Sequence, residues 1–200
     1  DKGDILHRDY TNYTGHTPLK NKTGRNDFEL VKVTKDAENI YFYAQTCNNI
    51  TPFGKFAKQW MMLYLNTDTC YNTGWEGYDF MVSIDKNTHK YSLFRHSGNA
   101  YTWENIGEIV PYINGNKMYF AIKRSLLGMG NGKECDIDFK WADNTPAVPD
   151  LLDFYTDGDV APNGRFNYRY KGSVIHTQAT GIQTTTTDEN AITICQNRDG

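Results

Sequence analysis

Hydrophobic and polar residues alternate with a period of two along most of this chain. Successive side chains of a β-strand point to opposite faces, so this alternation predicts short strands that each bury one face. Turn-forming residues separate nearly all of these runs. The predicted strands cover residues 28–34, 40–46, 60–66, 78–84, 91–95, 101–107, 117–122, 136–141, 151–156 and 165–170.

Two local signals refine this pattern. The Asn114-Gly115 pair lies between VPYI and KMYFAI and predicts a hairpin, because a type I′ turn needs positive φ at both central residues. Residues 124–127 predict a helical turn, with Gly128 placed to end it. Many short strands joined by frequent turns predict an all-β fold, a two-sheet antiparallel β-sandwich that is jelly-roll-like.

The composition of the chain changes at its two ends. The first 25 residues are polar and irregular, and we expect them to lie over the sandwich as an extended arm. After residue 171 the chain becomes Thr-rich and ends in the strand-like AITIC. We therefore predict one β-sandwich domain over residues 1–171. Residues 172–200 are predicted to form a linker and the start of a truncated C-terminal module.

Length and charge exclude several classes of function. The chain has 200 residues and 38% hydrophobic content, which suits one main core. Its net charge is −3 and its Lys and Arg residues are scattered, so nucleic-acid binding is not predicted. No apolar run approaches the roughly 20 residues of a membrane-spanning helix, and no membrane partner is predicted.

Cysteine spacing argues against a thiolate metal site. Cys47, Cys70, Cys135 and Cys195 lack the short paired spacing of zinc ligands and are expected to be structural or free. If residues 40–46 and 60–66 pair as antiparallel strands, the ends near Cys47 and Cys70 lie roughly 20 Å apart, beyond disulfide reach. A bridge between these two cysteines is therefore disfavoured.

The sequence contains no recognisable arrangement of catalytic residues. The five histidines lie outside nucleophile-elbow and zinc-protease patterns, and no phosphate-binding glycine loop is present. A glycosidase needs two carboxylates, for which Asp143, Asp153, Asp157 and Asp159 are the candidates. However, Asp-Gly-Asp at 157–159 has the chemistry of a turn, and this interpretation is favoured.

The loop TDTCYNTGWEG concentrates oxygen-bearing side chains between two predicted strands. Calcium takes six to eight oxygen ligands, so a structural calcium site is one hypothesis for this loop, and Asx turns without metal are the alternative. An EF-hand is excluded because Cys70 occupies the fifth position and no bidentate Glu follows. The candidate calcium ligands are Asn66, Asp68, Asn72 and Asp79.

Tryptophan side chains offer a second kind of site. The C–H groups of a sugar ring stack on an aromatic face, while neighbouring polar groups bind its hydroxyls. Trp75 lies in a polar loop between glycines and is the best candidate for such a platform. Trp103 is ambiguous, and Trp60 opens an apolar strand. Trp141 alternates with two apolar residues and is expected in the core.

Four segments taken together resemble a known family: LNTDTCYNTGWEGYDF, INGNKMYFAIKRSLLG, FKWADN and DFYTDGDVAPNGRFNYRY. In this order they resemble the family 9 carbohydrate-binding module-like, or DOMON-like, β-sandwich appended to secreted bacterial glycoside hydrolases. The resemblance covers about residues 23–171. It implies a jelly-roll-like sandwich that has no catalytic activity of its own. It also implies that this sandwich binds glycan and holds calcium.

The resemblance also implies how a glycan is held. In that family the sugar lies between two tryptophans. Trp75 matches the first, while Trp103 and Trp141 compete for the second. Polar partners are assigned by placement to Arg95, Asp143 and Asn144.

The leading hypothesis is a non-catalytic carbohydrate-binding accessory module of a larger extracellular glycoside hydrolase. Its partners would be a polysaccharide or oligosaccharide and an adjacent catalytic domain in the same chain. The implied location is secreted, extracellular or at the bacterial cell surface. One alternative is a purely structural sandwich that braces a neighbouring catalytic domain without binding glycan. Another is an enzyme that uses the aspartates named above.

Overall fold

The computed structural model describes residues 2–3, 9–11, 18–54, 59–130, 133–172 and 191–196, with backbone alone at 9–11, 18–20 and 191–196. Short strands dominate the described residues, and the two helical segments are the 3₁₀ helix Arg124–Leu127 and α1, Asp153–Thr156. The strands are β1 (Asp9–Thr11), β2 (Pro18–Lys20), β3 (Phe28–Lys35), β4 (Asn39–Thr46), β5 (Met62–Asn66), β6 (Phe80–Ile84), β7 (Tyr91–His96), β8 (Trp103–Glu108), β9 (Tyr112–Asn114), β10 (Lys117–Lys123), β11 (Cys135–Asp143), β12 (Asp159–Ala161), β13 (Phe166–Gly172) and β14 (Ala191–Gln196).

Two antiparallel sheets form the body of the fold. The smaller sheet has the order β3-β4-β10-β9. The larger has the order β14-β13-β11-β5-β6-β7-β8, and β12 also pairs with β11. Strands β1 and β2 form a separate two-stranded ribbon. The predicted all-β, two-sheet antiparallel sandwich is confirmed.

The core lies between the two sheets. In β4 and β10, residues alternate between buried and more exposed positions, as strands with one covered face require. Phe42 and Phe120 from the smaller sheet meet Phe139 and Trp141 from the larger, with ring centroids 5.9 Å and 5.7 Å apart. Trp141 is fully buried, so the prediction that it lies in the core is confirmed.

The larger sheet is also covered on its outer face. All five residues of β5 are buried, because Leu63 and Leu65 face the core while Met62 and Tyr64 face outwards into a second apolar cluster. This outer cluster contains buried Met62, Tyr64, Tyr78, Met81, Ala142, Phe154 and Val160. Its rim carries the half-buried aromatic residues that form the candidate site.

The structure changes three local predictions. Residues 151–156 were predicted as a strand but form a turn and α1, since Asp150 Oδ1 accepts hydrogen bonds from the backbone N–H groups of Leu152 (2.7 Å) and Asp153 (3.2 Å). The hairpin between β9 and β10 is present, but its turn is centred one residue later, on Gly115 and Asn116. Residues 191–196, expected to open a further module, pair with β13 at the edge of the larger sheet.

Other local predictions match. The 3₁₀ helix covers the predicted helical turn, and Gly128 ends it with φ of 72° in the left-handed region. Cys47 and Cys70 are both free, as is Cys135. The side chain of Cys195 lies outside the described residues. The domain boundary at residue 171 stays a prediction.

An irregular segment, residues 21–27, is tied to the ends of β11 and β12 by hydrogen bonds. Asn21 Nδ2 donates to the Gly158 carbonyl at 2.7 Å, and Asn144 Nδ2 donates to the Thr23 carbonyl at 2.8 Å. The Arg25 guanidinium pairs with Asp143. These contacts explain how a polar, irregular segment holds a fixed position on the sandwich.

Candidate functional site

A groove of about 260 Å³ lies on the outer face of the larger sheet. Aromatic side chains from β7, β8 and the loop between them form one wall. Polar side chains at the end of β6 form the opposite wall, and residues 147–148 cover one side. The principal lining residues are Gln59, Met81, Ser83, Asp85, Asn87, Phe94, Tyr101, Trp103 and Val148.

The aromatic wall is positioned by strand pairing. Met81 and Phe94 are paired across β6 and β7 and belong to the outer cluster. The Tyr101 hydroxyl lies 3.0 Å from that of Tyr64 and 3.3 Å from the Met81 sulfur. Trp103 packs edge-on to Tyr101, with ring centroids 5.6 Å apart. Both rings are half-buried, which leaves part of each available to a ligand.

Asp85 supplies negative charge to the polar wall. Asn105 Nδ2 donates to Asp85 Oδ2, and the backbone N–H groups of Asn87 and Thr88 donate to Oδ1 at 2.8 Å and 3.3 Å. These hydrogen bonds, that from Asn105 foremost, lower the pKa of Asp85 below its ordinary value. Its carboxylate is therefore ionised at neutral pH and can accept hydroxyl hydrogen bonds.

The cover of the groove is held by an amide side chain. Gln59 Nε2 donates to the Ala147 carbonyl at 3.1 Å, and its Oε1 accepts from the Ser83 hydroxyl at 3.2 Å. Gln59 thus links Ser83, near the end of β6, to residues 147–148, which cover the groove. Residue Val148, next in the chain, is largely exposed.

One polar atom of the groove has an unmet hydrogen-bonding capacity. The indole nitrogen of Trp103 is buried, and none of the residues described by the structure accepts its proton. Buried donors are ordinarily paired. The core residue Trp141 likewise has a buried indole nitrogen for which the described residues supply no acceptor, so this feature does not by itself indicate a ligand. The site thus combines an aromatic wall with a carboxylate.

Trp75 supports this groove from behind. Its ring packs edge-on to Tyr101 at 4.8 Å and also contacts Tyr64 at 5.6 Å and Phe154 at 6.2 Å. Its backbone exchanges two 2.9 Å hydrogen bonds with Tyr78. The structure therefore brings the predicted residues Trp75 and Trp103 into one aromatic cluster, with Tyr101 between them.

The three predicted polar partners lie elsewhere. Arg95 follows Phe94 and so projects to the other side of β7, where it forms an exposed ion pair with Glu104 at 3.0 Å. Asp143 is fully buried and accepts from Arg25 Nε at 2.7 Å and from the backbone N–H of Met61 at 2.9 Å. Asn144 binds the irregular segment 21–27. None of these three lines the described groove.

The predicted calcium ligands are engaged in the loop's own hydrogen bonds. Asp68 accepts from the backbone N–H of Cys70 at 2.8 Å and from the Thr73 hydroxyl at 2.9 Å. Asp79 Oδ2 accepts from both the backbone N–H and the hydroxyl of Thr67, at 2.7 Å and 3.1 Å. Such contacts are typical of Asx turns without metal.

The remaining two predicted ligands differ from each other. Asn72 is exposed, whereas Asn66 is fully buried, and no described residue hydrogen-bonds to its Oδ1 atom. Among the described residues, no group of three or more His, Cys, Asp or Glu side chains could hold a metal ion. Calcium at this loop stays a prediction.

Two of the four aspartates of the enzymatic alternative are closed off from solvent. Asp143 and Asp159 are paired across β11 and β12 and are both fully buried. Asp159 Oδ2 accepts from the Phe28 backbone N–H at 2.7 Å. Asp157 accepts from the Thr23 hydroxyl at 3.0 Å beside Gly158, in the predicted turn. These contacts describe structural carboxylates.

Sequence reasoning missed Phe94, Tyr101, Asp85 and Asn105. Tyr101 and Phe94 had been counted only as strand residues. The alternation in YSLFRH predicts that Phe94 and Leu93 lie on opposite faces of the strand. The sequence does not show that both of these faces are covered. Asp85 gave no signal, because an Asp before a turn is ordinary turn chemistry.

Comparisons with protein-family models, curated proteins and solved structures found no match. In the part of the chain that the structure describes, none of the helices has the length and apolar character needed to cross a membrane. The candidate function therefore rests on the groove itself.

Proposed function

We propose that this chain is a non-catalytic carbohydrate-binding module and that the groove beside Trp103 holds the sugar. The observation that carries the proposal is the groove itself, in which the half-buried Tyr101 and Trp103 line the same cavity as the Asp85 carboxylate. A sugar offers C–H groups to the aromatic rings and hydroxyl groups to the carboxylate.

The opposite wall complements this arrangement. The ionised Asp85 carboxylate can accept hydrogen bonds from sugar hydroxyl groups, and the exposed Asn87 offers an amide group at the same groove. A mainly aromatic wall facing a few polar groups is the usual composition of a small-ligand site. The module is proposed to serve a larger secreted bacterial glycoside hydrolase, as the sequence resemblance implies.

Calorimetric titration with neutral oligosaccharides of glucose, xylose and mannose tests the proposal. Trp103→Ala is expected to weaken binding about tenfold or more, because loss of a central aromatic contact costs about 2 kcal/mol. Phe166→Ala is the matched control, since Phe166 is an exposed aromatic on β13. Equal affinity of the Trp103→Ala variant and the unaltered protein would contradict the proposal.

The same titrations distinguish the enzymatic alternative. The isolated chain is expected to release no reducing sugar from the oligosaccharides it binds. Release that is abolished by Asp153→Asn or Asp157→Asn would instead show that the chain is a glycosidase.

A structural role without glycan binding is the second candidate. It is favoured by Val148 and Leu152, which are 69% and 57% exposed in the chain between β11 and β12. Exposed aliphatic side chains of this kind can pack against a neighbouring domain. Deleting the module would then lower the melting temperature of the parent protein without changing its affinity for polymer.

Calcium is tested separately by melting the protein in EGTA and in CaCl₂. The hydrogen bonds of Asp68 and Asp79 within the loop predict equal melting temperatures. A calcium-dependent rise that Asp68→Asn removes would establish the site, with Asn66 Oδ1 as an available buried oxygen.

A further inference from the structure

The outer face of the smaller sheet carries a row of aromatic side chains. Tyr43 on β4 pairs with Tyr119 on β10, which pairs in turn with Tyr112 on β9. On the other side Tyr43 pairs with Lys32 on β3. The tyrosine row, defined as Lys32, Tyr43, Tyr119 and Tyr112, crosses four strands and is about 14 Å long, since strands lie about 4.8 Å apart.

Side chains of this row are open to solvent. Tyr112 is 53% exposed and Tyr119 is 46% exposed, with ring centroids 4.9 Å apart. Lys32 Nζ lies 5.7 Å from the centre of the Tyr43 ring. A tyrosine that only packs in the core would be buried. Packing within the sandwich therefore does not account for the row.

Lysines flank the row. Lys117 and Lys123 lie on the same side of β10 as Tyr119, two residues before it and four residues after it. Two carboxylates near this face are already engaged, since Glu29 is ion-paired with Lys2 and Asp36 accepts a hydrogen bond from the Tyr41 hydroxyl. None of the described residues forms an ion pair with Lys32, Lys117 or Lys123, so these three charges are available to an anionic ligand.

The arrangement suits a linear anionic sugar polymer better than other partners. The centre of a protein interface is depleted of charge, whereas Lys32 lies within the row itself. A second copy of this chain would place the same lysines against each other.

We propose that the tyrosine row and its flanking lysines bind a linear polyuronate, a polysaccharide with a carboxylate on each sugar. Lys32 Nζ lies 5.7 Å from the centre of the Tyr43 ring, so a sugar that contacts this row lies near an ammonium group. A carboxylate attached directly to the sugar ring can pair with that ammonium group. The site is separate from the groove, which lies on the outer face of the other sheet.

Affinity electrophoresis of the full chain in gels containing polygalacturonate tests the proposal. The unaltered protein is expected to be retarded, and retardation should weaken as salt rises, since exposed charges are screened. Two variants, Tyr112→Ala/Tyr119→Ala and Lys32→Gln/Lys117→Gln/Lys123→Gln, are each expected to lose about tenfold in affinity. The charge-matched control is Lys22→Gln/Lys90→Gln/Lys171→Gln, whose altered positions are exposed elsewhere.

Further arms separate this site from the groove and from other polymers. Trp103→Ala should keep its affinity for polygalacturonate, so this inference can fail independently of the glycan-binding groove. Fully methyl-esterified polygalacturonate should not bind at the row. Amide shifts on adding oligogalacturonate should fall on β4, β9 and β10, a result that needs no variant to fold. Shifts confined to the groove, or binding to dextran sulfate or poly(dT) without binding to polygalacturonate, would overturn the proposal.

Discussion

At the residue scale, Asp143 shows how a carboxylate can be essential without facing a ligand. It is fully buried, and burial raises its pKa while the Arg25 guanidinium opposes that rise. Arg25 Nε and Nη2 and the Met61 backbone N–H all donate to it. The aspartate therefore joins segment 21–27, the approach to β5 and the end of β11.

Asp143→Asn is expected to lower the free energy of unfolding by about 3–5 kcal/mol, because it leaves the Arg25 charge unpaired beside the core. Urea titration followed by tryptophan fluorescence measures this. Glu104→Gln breaks the exposed Arg95 pair and should cost no more than about 1 kcal/mol. Equal losses of unfolding free energy in the two variants would show that the Asp143–Arg25 pair does not stabilise the fold more than a surface ion pair does.

Asp36 gives a pH-dependent counterpart. The Tyr41 hydroxyl and the backbone N–H groups of Asn39 and Glu38 lower its pKa from 3.8 to about 2. A carboxylate with a depressed pKa stabilises the fold above its unfolded pKa, and that contribution is lost as pH falls from about 4 to about 2. The melting temperature should fall over this window, and Asp36→Asn should flatten the fall. Glu38→Gln, in the same turn, should leave the slope nearly unchanged.

At the element scale, the loop between β5 and β6 depends on one glycine. Gly74 has φ of 66°, and a Cβ atom there would lie 2.1 Å from the Tyr78 carbonyl oxygen. This close approach permits the paired hydrogen bonds between Trp75 and Tyr78, which hold Trp75 against Tyr101. The loop thus positions the groove wall indirectly.

Gly74→Ala should lower the free energy of unfolding by about 1–3 kcal/mol, because both its φ and its contact are strained. It should also weaken glycan binding, since Tyr101 loses its support from Trp75. Gly107→Ala in β8 is the control, because a Cβ atom there meets nothing within 4 Å. Unfolding titrations and calorimetry of both variants measure the two effects. Unchanged glycan affinity in a folded Gly74→Ala variant would show that the loop does not position the groove wall.

The positions of most strands could be predicted from the sequence, including that of β5, which is covered on both faces, whereas residues 151–156 were assigned to the wrong kind of element. β4 and β10 show clean alternation because water covers their outer sides. Residues 151–156 contain the same mixture of Leu, Phe and Tyr, but the Asx contacts of Asp150 turn them into a helical segment. Local hydrogen bonding here outweighs β-propensity.

The candidate site was predictable only in part, for a related reason. Trp75 was identified from its polar surroundings and Trp103 was an ambiguous candidate, and the structure places both in one cluster. Arg95 and Asp143 were assigned by placement alone. Whether a polar residue faces a groove depends on strand register and on which loops cover the sheet, and neither is visible along the chain.

At the scale of the whole molecule, the larger sheet extends to β14, which pairs with β13 over residues 166–171 and 191–196. The residues of the main core lie between 28 and 170. β14 pairs with β13 along the edge of the larger sheet and so protects that edge.

Truncation after Gly172 should leave a cooperative unfolding transition, because the described core residues, between 28 and 170, are all retained. Amide exchange in β13 should become faster, since that strand becomes an unpaired edge. Exchange measured by mass spectrometry on both chain lengths checks this, with β4 as the internal reference. Loss of cooperative unfolding would show that residues 173–200 belong to the same domain and would contradict the boundary at 171.

The covering of β5 on both faces has a consequence for folding specificity. A slip of one residue along a neighbour would exchange Met62 and Tyr64 for Leu63 and Leu65, so one apolar set would replace another. Hydrophobicity alone therefore does not select the correct alignment of this central strand. The choice falls to polar contacts at its two ends, where the Asp143 carboxylate accepts from the Met61 N–H and the Asp79 carboxylate accepts from the Thr67 N–H. A shifted register would lose the hydrogen bonds of these two aspartates, which lie outside the apolar clusters. They therefore favour the native register of the sheet.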